Sequence, residues 1–253
     1  MSVLVNPYNV IAPVSGFQVD AADFDGTDGL SRAALSGASD GKQFVLSFWT
    51  KMESADTAAP GFWSWVQGLG SGSVLRTGTT KVITILWCQP GGATIGLAAV
   101  TATTLEDDGN WHHFIMSVDM ADTGKRHIYI DGADASVTWT TYLDGNLDFT
   151  PTTTRVGTDF GGGGQLDGGL AEVFFHTTYL DLSVEANREL FRSSAGKPVD
   201  LGADGSTPLG VQPLVYLHLD VAEAAANFAV NAGSGGDYAI TGTLTTYASS
   251  PSD

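Results

Sequence analysis

The stretch from Trp111 to Gly132 constrains the fold more than any other part of the chain. Its first arm alternates two sets of side chains with a period of two, as a β-strand requires. A polar turn with glycine, Asp122-Thr123-Gly124, then leads into a second alternating arm that ends at Asp131-Gly132. This arrangement predicts an antiparallel β-hairpin. The predicted faces of the first arm are His112, Phe114, Met116 and Val118 on one side and Trp111, His113, Ile115 and Ser117 on the other.

Composition extends this prediction to the whole chain. The 253 residues include 32 glycines and only 15% charged residues, which is typical of many short strands and turns. A chain of this length buries about 70–75% of its unfolded surface, enough for one large core. We therefore expect an all-β protein, an antiparallel β-sandwich with one short helix near residues 182–193, where the apolar spacing is helical.

Three motifs in order resemble a known family. Phe24-Asp25-Gly26-Thr27-Asp28 precedes the strand Phe44 to Lys51, the predicted hairpin follows, and Leu166 to Val173 forms a closing strand. Together they resemble the laminin-G-like, or concanavalin A-like, jelly roll over about residues 17–193. The resemblance implies a jelly-roll core over 17–193. Before it, Pro7, Pro13 and Gly16 predict an extended N-terminal arm over 1–16. After it, residues 194–253 go beyond the family pattern and are predicted to form a C-terminal β extension that packs on or completes the sandwich.

Charge and apolar patterning exclude several classes of partner. The chain has 11 Lys and Arg against 28 Asp and Glu, a net charge of −17, so most of the surface repels nucleic-acid phosphates. No apolar stretch approaches 18 residues, and the N-terminus lacks the pattern of a signal peptide. We expect no nucleic acid partner, no membrane insertion, and synthesis in a host cytoplasm without a signal peptide.

The C-terminal region, from Gly196-Lys197-Pro198 to Ser250-Pro251-Ser252-Asp253, resembles that of laminin-G-like proteins encoded by tailed bacteriophages and prophages. This resemblance implies a non-catalytic structural virion protein: a head decoration, fibre or tail adhesion protein that contacts other capsid or tail proteins and host-surface polysaccharide. It also implies a homo-oligomer, a trimer by analogy with displayed proteins. The alternative is a free carbohydrate-binding lectin or adhesin, and a glycoside hydrolase is less favoured.

Four aromatic residues are candidates for carbohydrate binding, because aromatic faces stack on sugar rings. Trp63 and Trp65 share one strand face, and Trp139 and Tyr142 lie at the rim of a predicted strand. For the first pair, burial in the core is the favoured alternative, since large aromatic residues usually fill cores.

Catalysis is not expected. Jelly-roll glucanases carry their carboxylates on one strand with a Glu-x-Asp-x-Glu spacing, and the sequence contains no such triplet. If Ala171, Val173 and Phe175 face the core, then Leu170, Glu172, Phe174 and His176 face the other way, beside Trp49 and His113. Glu172 beside a histidine then forms either an acid/base pair or a polar cross-strand pair, and the second interpretation is favoured.

Calcium is the metal that the resemblance implies, and no cofactor is otherwise required. Asp25, Asp28 and Glu172 occupy the opening turn and the closing strand, whose oxygens suit Ca²⁺. Ala171 stands where many relatives carry Asp. Both loss and retention of the ion are therefore open.

Overall fold

The computed structural model describes residues 16–53, 60–67, 70–76 and 80–253. The N-terminal arm predicted over 1–16 falls, except for Gly16, outside these residues. Sixteen strands and one α-helix are present in the described part, in the order β1 (Ala22–Asp25), β2 (Gly29–Arg32), β3 (Gln43–Met52), β4 (Gly61–Gln67), β5 (Gly70–Arg76), β6 (Val82–Cys88), β7 (Ile95–Thr104), β8 (His112–Asp119), β9 (Arg126–Ile130), β10 (Ala133–Asp134), β11 (Val137–Tyr142), β12 (Thr153–Val156), β13 (Asp167–His176), α1 (Glu185–Arg188), β14 (Val215–Leu217), β15 (Ala239–Thr241) and β16 (Thr245–Thr246).

The strands form two antiparallel sheets of eight strands each. The first sheet has the order β10-β9-β8-β3-β13-β1-β16, and β14 also pairs with β13. The second sheet has the order β11-β7-β6-β5-β4-β12-β2-β15. Side chains from both sheets meet in one large apolar core. The predicted all-β sandwich is confirmed, and so is the single short α-helix.

The predicted hairpin is the pair β8 and β9, with Met116 opposite Ile128. Phe114, Met116 and Val118 lie in the core between the sheets, as the alternation predicts. Ile115 lies on the opposite side of the first sheet, with Val45 and Phe174. We call the side that faces the second sheet the inner face and this opposite side the outer face.

The outer face is covered by the chain that follows β13. Leu182, Phe191, Leu201 and Tyr216 form an apolar cluster there with Val45, Ile115 and Phe174. The helix α1 is shorter than the predicted span, because Phe191 N–H bonds to the carbonyl of Arg188 only three residues earlier and the chain tightens into a turn. A 3₁₀ helix, Ala225–Ala229, places Phe228 against Phe24 with ring centroids 6.3 Å apart.

The C-terminal residues contribute strands to both sheets. β14 pairs with β13, β16 pairs with β1, and β15 pairs with β2. Chain segments that follow the closing strand β13 therefore extend both sheets and also cover the outer face of the first sheet.

Within the described part of the chain, no helix is long and apolar enough to cross a membrane.

Candidate functional site

Glu172 occupies a bulge in the central strand β13. Ala171 pairs with Trp49 and Phe174 pairs with Ser47, so two residues of β13 lie opposite one residue of β3. The backbone of Glu172 has φ of +51°, which costs a non-glycine residue on the order of 1–2 kcal/mol. Such local strain is concentrated at functional sites. The extra residue directs the Glu172 side chain to the outer face, toward Tyr216.

The carboxyl group of Glu172 is nearly inaccessible, since the residue is 3% exposed. The Tyr216 hydroxyl donates a hydrogen bond to Glu172 Oε2 at 2.9 Å, whereas Oε1 is buried with no hydrogen-bond partner among the described residues. Burial, together with the smaller effect of the negative charges of Asp220 and Asp200, raises the pKa of Glu172 to about 8, although the Tyr216 hydrogen bond works to lower it. Glu172 is therefore mainly a neutral acid at pH 7.

Tyr216 separates Glu172 from a cleft of ≈ 530 Å³ on the outer face, within the usual range for small-molecule sites. The rings of Tyr216 and His218 stack with centroids 4.5 Å apart and an angle of 8°. They share a face because their positions differ by two along β14 and its extension. We call this pocket the Tyr216 cleft; its lining is Phe17, Asp200, Gly202, Ala203, Tyr216, His218, Asp220, Glu223, Asn227, Val230 and Ala232.

The lining of the Tyr216 cleft is acidic. Asp200, Asp220 and Glu223 contribute carboxylates, Asn227 contributes an amide, and the lining contains no Lys or Arg. His218 Nδ1 lies 3.7 Å from Asp220 Oδ1. Together these groups offer many hydrogen-bond acceptors beside an aromatic face. They suit a ligand that donates hydrogen bonds and carries no negative charge.

Trp63 and Trp65 do not form a surface platform. They are 2% and 1% exposed, and their rings pack against Phe175 at 5.2 Å and Trp87 at 4.1 Å. The cavity beside them has a volume of ≈ 10 Å³, far below the ~300 Å³ of a small ligand site. The structure thus favours the core role, and it corrects the prediction that these two residues stack on sugars.

Trp139 and Tyr142 lie half-buried on β11, the edge strand of the second sheet. Their ring centroids are 5.6 Å apart, and the guanidinium of Arg126 lies 5.3 Å and 5.0 Å from the two centroids. The Tyr142 hydroxyl donates to the carbonyl of Asp119 at 2.8 Å. Arg126 covers part of both rings, and sugar binding by this pair stays a prediction.

The three predicted calcium ligands do not converge. Asp25 lies opposite Asp167 in the pairing of β1 with β13, five residues and about 17 Å along the strand from Glu172. Asp28 uses its two oxygens to accept the backbone N–H groups of Thr243 at 2.6 Å and Asp25 at 3.2 Å. Among the described residues, no group of three or more His, Cys, Asp or Glu side chains could hold a metal ion. The residues present therefore do not fit a shared calcium ion.

The assignment of faces on β13 needs one correction, caused by the bulge. Strict alternation places Leu170 outward and Ala171 inward, but Leu170 lies in the inner core and Ala171 packs against Trp49 on the outer face. Glu172 does face outward as predicted. Its hydrogen-bond partner is Tyr216 rather than His176.

Sequence reasoning missed the Tyr216 cleft. Two features of the sequence point toward it. Tyr216 and His218 alternate with the apolar residues of a predicted strand, and Glu172 is an acidic residue within the otherwise apolar strand 170–175. Neither signal shows that the loops around Asp200 and Asp220 meet these residues in the folded chain. That proximity comes from the pairing of β14 with β13.

Comparison with known proteins places this geometry in a family. A sequence family described as the concanavalin A-like lectin/glucanases superfamily, of the laminin G type, matches residues 24–183. No curated protein matches the chain significantly. None of the matches described here links the chain to tailed bacteriophages, so that part of the resemblance stays a prediction.

Three similar solved structures illustrate the fold. A candidate carbohydrate-binding protein from Bacteroides ovatus is 15% identical with a TM-score of 0.58 and covers 92% of this chain, which spans 61% of that structure. Domain 4 of a Geobacillus stearothermophilus extracellular arabinanase, solved with arabinotriose, is 18% identical (66% of this chain, 75% of that one, TM-score 0.46). The mouse laminin α1 domains LG4-5 are 12% identical with a TM-score of 0.48, and the match covers 72% of this chain and 49% of that one. The chain belongs to the concanavalin A-like lectin/glucanase superfamily.

Proposed function

We propose that this protein is a non-catalytic carbohydrate-binding domain and that the Tyr216 cleft binds an uncharged sugar. The observation that carries the proposal is the His218 ring, which stacks on the buried ring of Tyr216 and is 17% exposed beside a cleft surrounded by carboxylates. An aromatic face covers the apolar side of a sugar ring, and carboxylates accept hydrogen bonds from its hydroxyl groups. The Bacteroides ovatus structure, a candidate carbohydrate-binding protein, is consistent with this class of ligand.

Two features favour binding over hydrolysis. A glycosidase needs two carboxyl groups that flank the scissile bond at about 5–9.5 Å from each other. Glu172 has the raised pKa of a general acid, but it is covered by Tyr216 and 3% exposed, which keeps it from a glycosidic oxygen. Asp200, Asp220 and Glu223 lie outside the paired strands, on segments without the strand spacing of glucanase carboxylates.

A glycan array followed by calorimetry on the strongest hit tests the proposal. Asp220→Asn removes a charge at the cleft, and Asp144→Asn removes a charge of similar side-chain exposure, 66% against 64%, elsewhere on the surface. We expect Asp220→Asn to weaken binding about tenfold, because hydrogen bonds to charged groups contribute ~1.5–3 kcal/mol. Asp144→Asn should leave the affinity unchanged.

Three outcomes count against the proposal. If no glycan binds, the domain is not a lectin of this kind. If binding survives Asp220→Asn and His218→Ala but is lost in Trp139→Ala, the sugar site is the edge of the second sheet instead. Turnover of a β-glucan that disappears in Glu172→Gln would make the protein a glycoside hydrolase.

The biological setting is a separate proposal. The resemblance of the C-terminal region to bacteriophage proteins supports display on a virion, as a head decoration, fibre or tail adhesion protein with a homo-oligomeric arrangement. Mass spectrometry of purified particles, with copy number measured against the major capsid protein, tests this setting. Absence from particles would leave the free lectin as the function.

A further inference from the structure

A second pocket, of ≈ 160 Å³, lies on the outer face of the first sheet. It is lined by residues of β8, of the turn after β9, and of α1 with the turn that follows it, including His113, Asp131, Gly132 and Arg192. Its volume suits a single small chemical group rather than a whole oligosaccharide. We call it the Arg192 pocket. Two buried side-chain nitrogen atoms of its lining have no hydrogen-bond partner among the described residues. These nitrogens indicate the chemistry of the ligand that the pocket binds.

The first of these nitrogens is Arg192 Nε, which is buried with no hydrogen-bond partner among the residues that the structure describes. Among the described residues, no carboxylate oxygen lies within ion-pair distance of the Arg192 guanidinium, although the chain has 28 acidic residues. Two glycines with φ of +81° and +77°, Gly132 and Gly196, flank it. A Cβ on them would lie 3.1 Å from Nη1 and 2.9 Å from Nη2. The backbone therefore holds the guanidinium closely on two sides.

The second nitrogen is Nδ1 of His113, a residue that is 1% exposed. Its Nε2 shares a 2.8 Å hydrogen bond with the Ser47 hydroxyl. Burial lowers the pKa of His113 to about 3, so the ring is neutral and one nitrogen carries the proton. When Ser47 donates to Nε2, that proton is on Nδ1. His113 then offers a second donor inside the protein.

Asp131 lines the same pocket, but its carboxylate makes no hydrogen bond or ion pair with Arg192 or with His113 Nδ1. Oδ1 accepts the backbone N–H of His113 at 2.9 Å, and Oδ2 accepts His112 Nδ1 at 2.7 Å. Burial works to raise the pKa of Asp131, but these hydrogen bonds outweigh it and the pKa is lowered. The nearby charge of Arg192 also lowers the pKa of Asp131, but without a hydrogen bond or ion pair between the two side chains the donors of Arg192 stay available.

We propose that the Arg192 pocket is a subsite for a single carboxylate group, which accepts hydrogen bonds from Arg192 Nε and His113 Nδ1. The planar guanidinium matches the geometry of a carboxylate. Glu185 and Glu189 also line the pocket, and their charges disfavour a dianion such as sulfate or phosphate. Arg188 lies over the Tyr129 ring at 4.4 Å and donates to the carbonyl of Leu182 at 2.6 Å, so its guanidinium is already engaged.

The carboxylate can belong to an acidic sugar or to a simple organic acid, and titration separates the two. The side-chain Nε–H resonance of Arg192 in ¹⁵N-labelled wild-type protein is followed with glucuronate, acetate, sulfate and glucose at constant ionic strength. We expect glucuronate to shift the resonance and sulfate and glucose to leave it unchanged. An equal effect of acetate assigns the recognition to the carboxylate alone, whereas a weaker effect assigns part of it to the sugar ring.

Two variants give the matched comparison. Arg192→Gln should weaken glucuronate binding about tenfold or more, as expected for loss of a charged donor. Arg155→Gln removes an arginine of the second sheet that donates to the carbonyl of Phe160, and it should bind like wild type. The wild-type titration needs no variant, so it remains decisive if Arg192→Gln fails to fold.

Three results would overturn this subsite. The first is an Arg192 resonance that no carboxylate moves, and the second is an equal shift with sulfate, which would indicate anion binding without selectivity. The third is glucuronate binding that leaves this resonance unchanged and is lost in Asp220→Asn. That last result would place an acidic sugar in the Tyr216 cleft, which excludes this subsite and also contradicts the uncharged ligand proposed for that cleft.

Discussion

The inner and outer faces of the first sheet are both buried, but different kinds of structure bury them. On β3 the inner residues Phe44, Leu46 and Phe48 pack against the second sheet in an apolar core. The outer face of the same strand and its neighbour carries Ser47, His113 and Ser117, which are also buried. It is covered by loops and one short helix, not by a second sheet. Two sheets interdigitate closely, whereas loops leave pockets.

This difference explains where the unpaired polar atoms of the first sheet lie. Ser117 is fully satisfied, since its hydroxyl donates to the carbonyl of Phe44 and accepts the N–H of Leu180. Among the described residues, Glu172 Oε1, His113 Nδ1, His176 Nδ1 and Arg192 Nε have no hydrogen-bond partner. His113 and Arg192 line the Arg192 pocket, and Glu172 lies behind Tyr216 of the Tyr216 cleft. Buried polar groups without partners destabilise a fold. Unpaired buried atoms also lie elsewhere in the described residues, on Trp65, Ser73, Asp148, Thr154 and Tyr238, so it is a position beside a ligand-sized pocket that distinguishes those of the outer face.

The largest expected effect is the pH dependence that Glu172 gives to the free energy of unfolding. Burial raises its pKa from 4.5 to about 8 in the folded protein. Below pH 4.5 Glu172 is neutral in both states, and its contribution to the free energy of unfolding is fully present. As the pH rises to 8, the unfolded carboxyl ionises first and stability falls by on the order of 5 kcal/mol, at 1.36 kcal/mol per pKa unit. Urea unfolding of wild type and Glu172→Gln from pH 4 to pH 9 measures this.

In that experiment the glutamine variant should match wild type near pH 4 and exceed it at pH 9, because glutamine does not ionise. The exposed Glu189→Gln serves as the matched control and should follow the wild-type curve. A constant difference between Glu172→Gln and wild type across this range would mean that Glu172 is not a buried acid.

His113 changes stability in the opposite direction. Burial lowers its pKa to about 3, so its contribution to the free energy of unfolding is lost as the pH falls below 6.5, where the unfolded histidine takes up a proton first.

A large-to-small substitution on each face tests the difference in packing. Phe48 stacks between Phe62 at 4.8 Å and Phe114 at 5.0 Å, and Phe48→Ala should cost about 4 kcal/mol. Phe191, on the outer face, contacts Phe174 at 5.0 Å. Phe191→Ala should cost about 2–3 kcal/mol, because a loop layer relaxes into the space more easily. Equal losses in urea unfolding would show that both faces are packed alike.

The smallest expected change in stability compares a buried tyrosine hydroxyl that donates a hydrogen bond with a buried tyrosine hydroxyl that has no partner. Tyr216→Phe removes the donor to Glu172 Oε2 and should cost about 1–2 kcal/mol, since it leaves that acceptor unsatisfied. Tyr238 is the matched control, because its hydroxyl is buried with no partner among the described residues. Tyr238→Phe should be neutral or stabilising in thermal unfolding. A larger loss for Tyr238→Phe than for Tyr216→Phe would contradict this interpretation.

The strands were easier to predict from sequence than the sites. Alternation identified β8 and β9, because a strand with one face in the core repeats every two residues. The bulge at Glu172 adds one residue without a distinctive sequence, so alternation misassigned Leu170 and Ala171. For Trp63, residue type alone did not distinguish a surface platform from the core. The Tyr216 cleft and the Arg192 pocket join segments far apart in the chain, and periodicity carries no information about such contacts.

The pairing of β13 with β14 has a consequence for synthesis of the chain. Phe174 and Phe175 of β13 pair on one side with β3, and residues 173–175 pair on the other side with 215–217. That second edge therefore stays unpaired until about forty more residues have left the ribosome. An open, apolar strand edge is a template for aggregation with other chains. Folding that depends on such distant pairings is also slow. Yield of folded protein should therefore depend on how quickly the segment that contains β14 reaches β13.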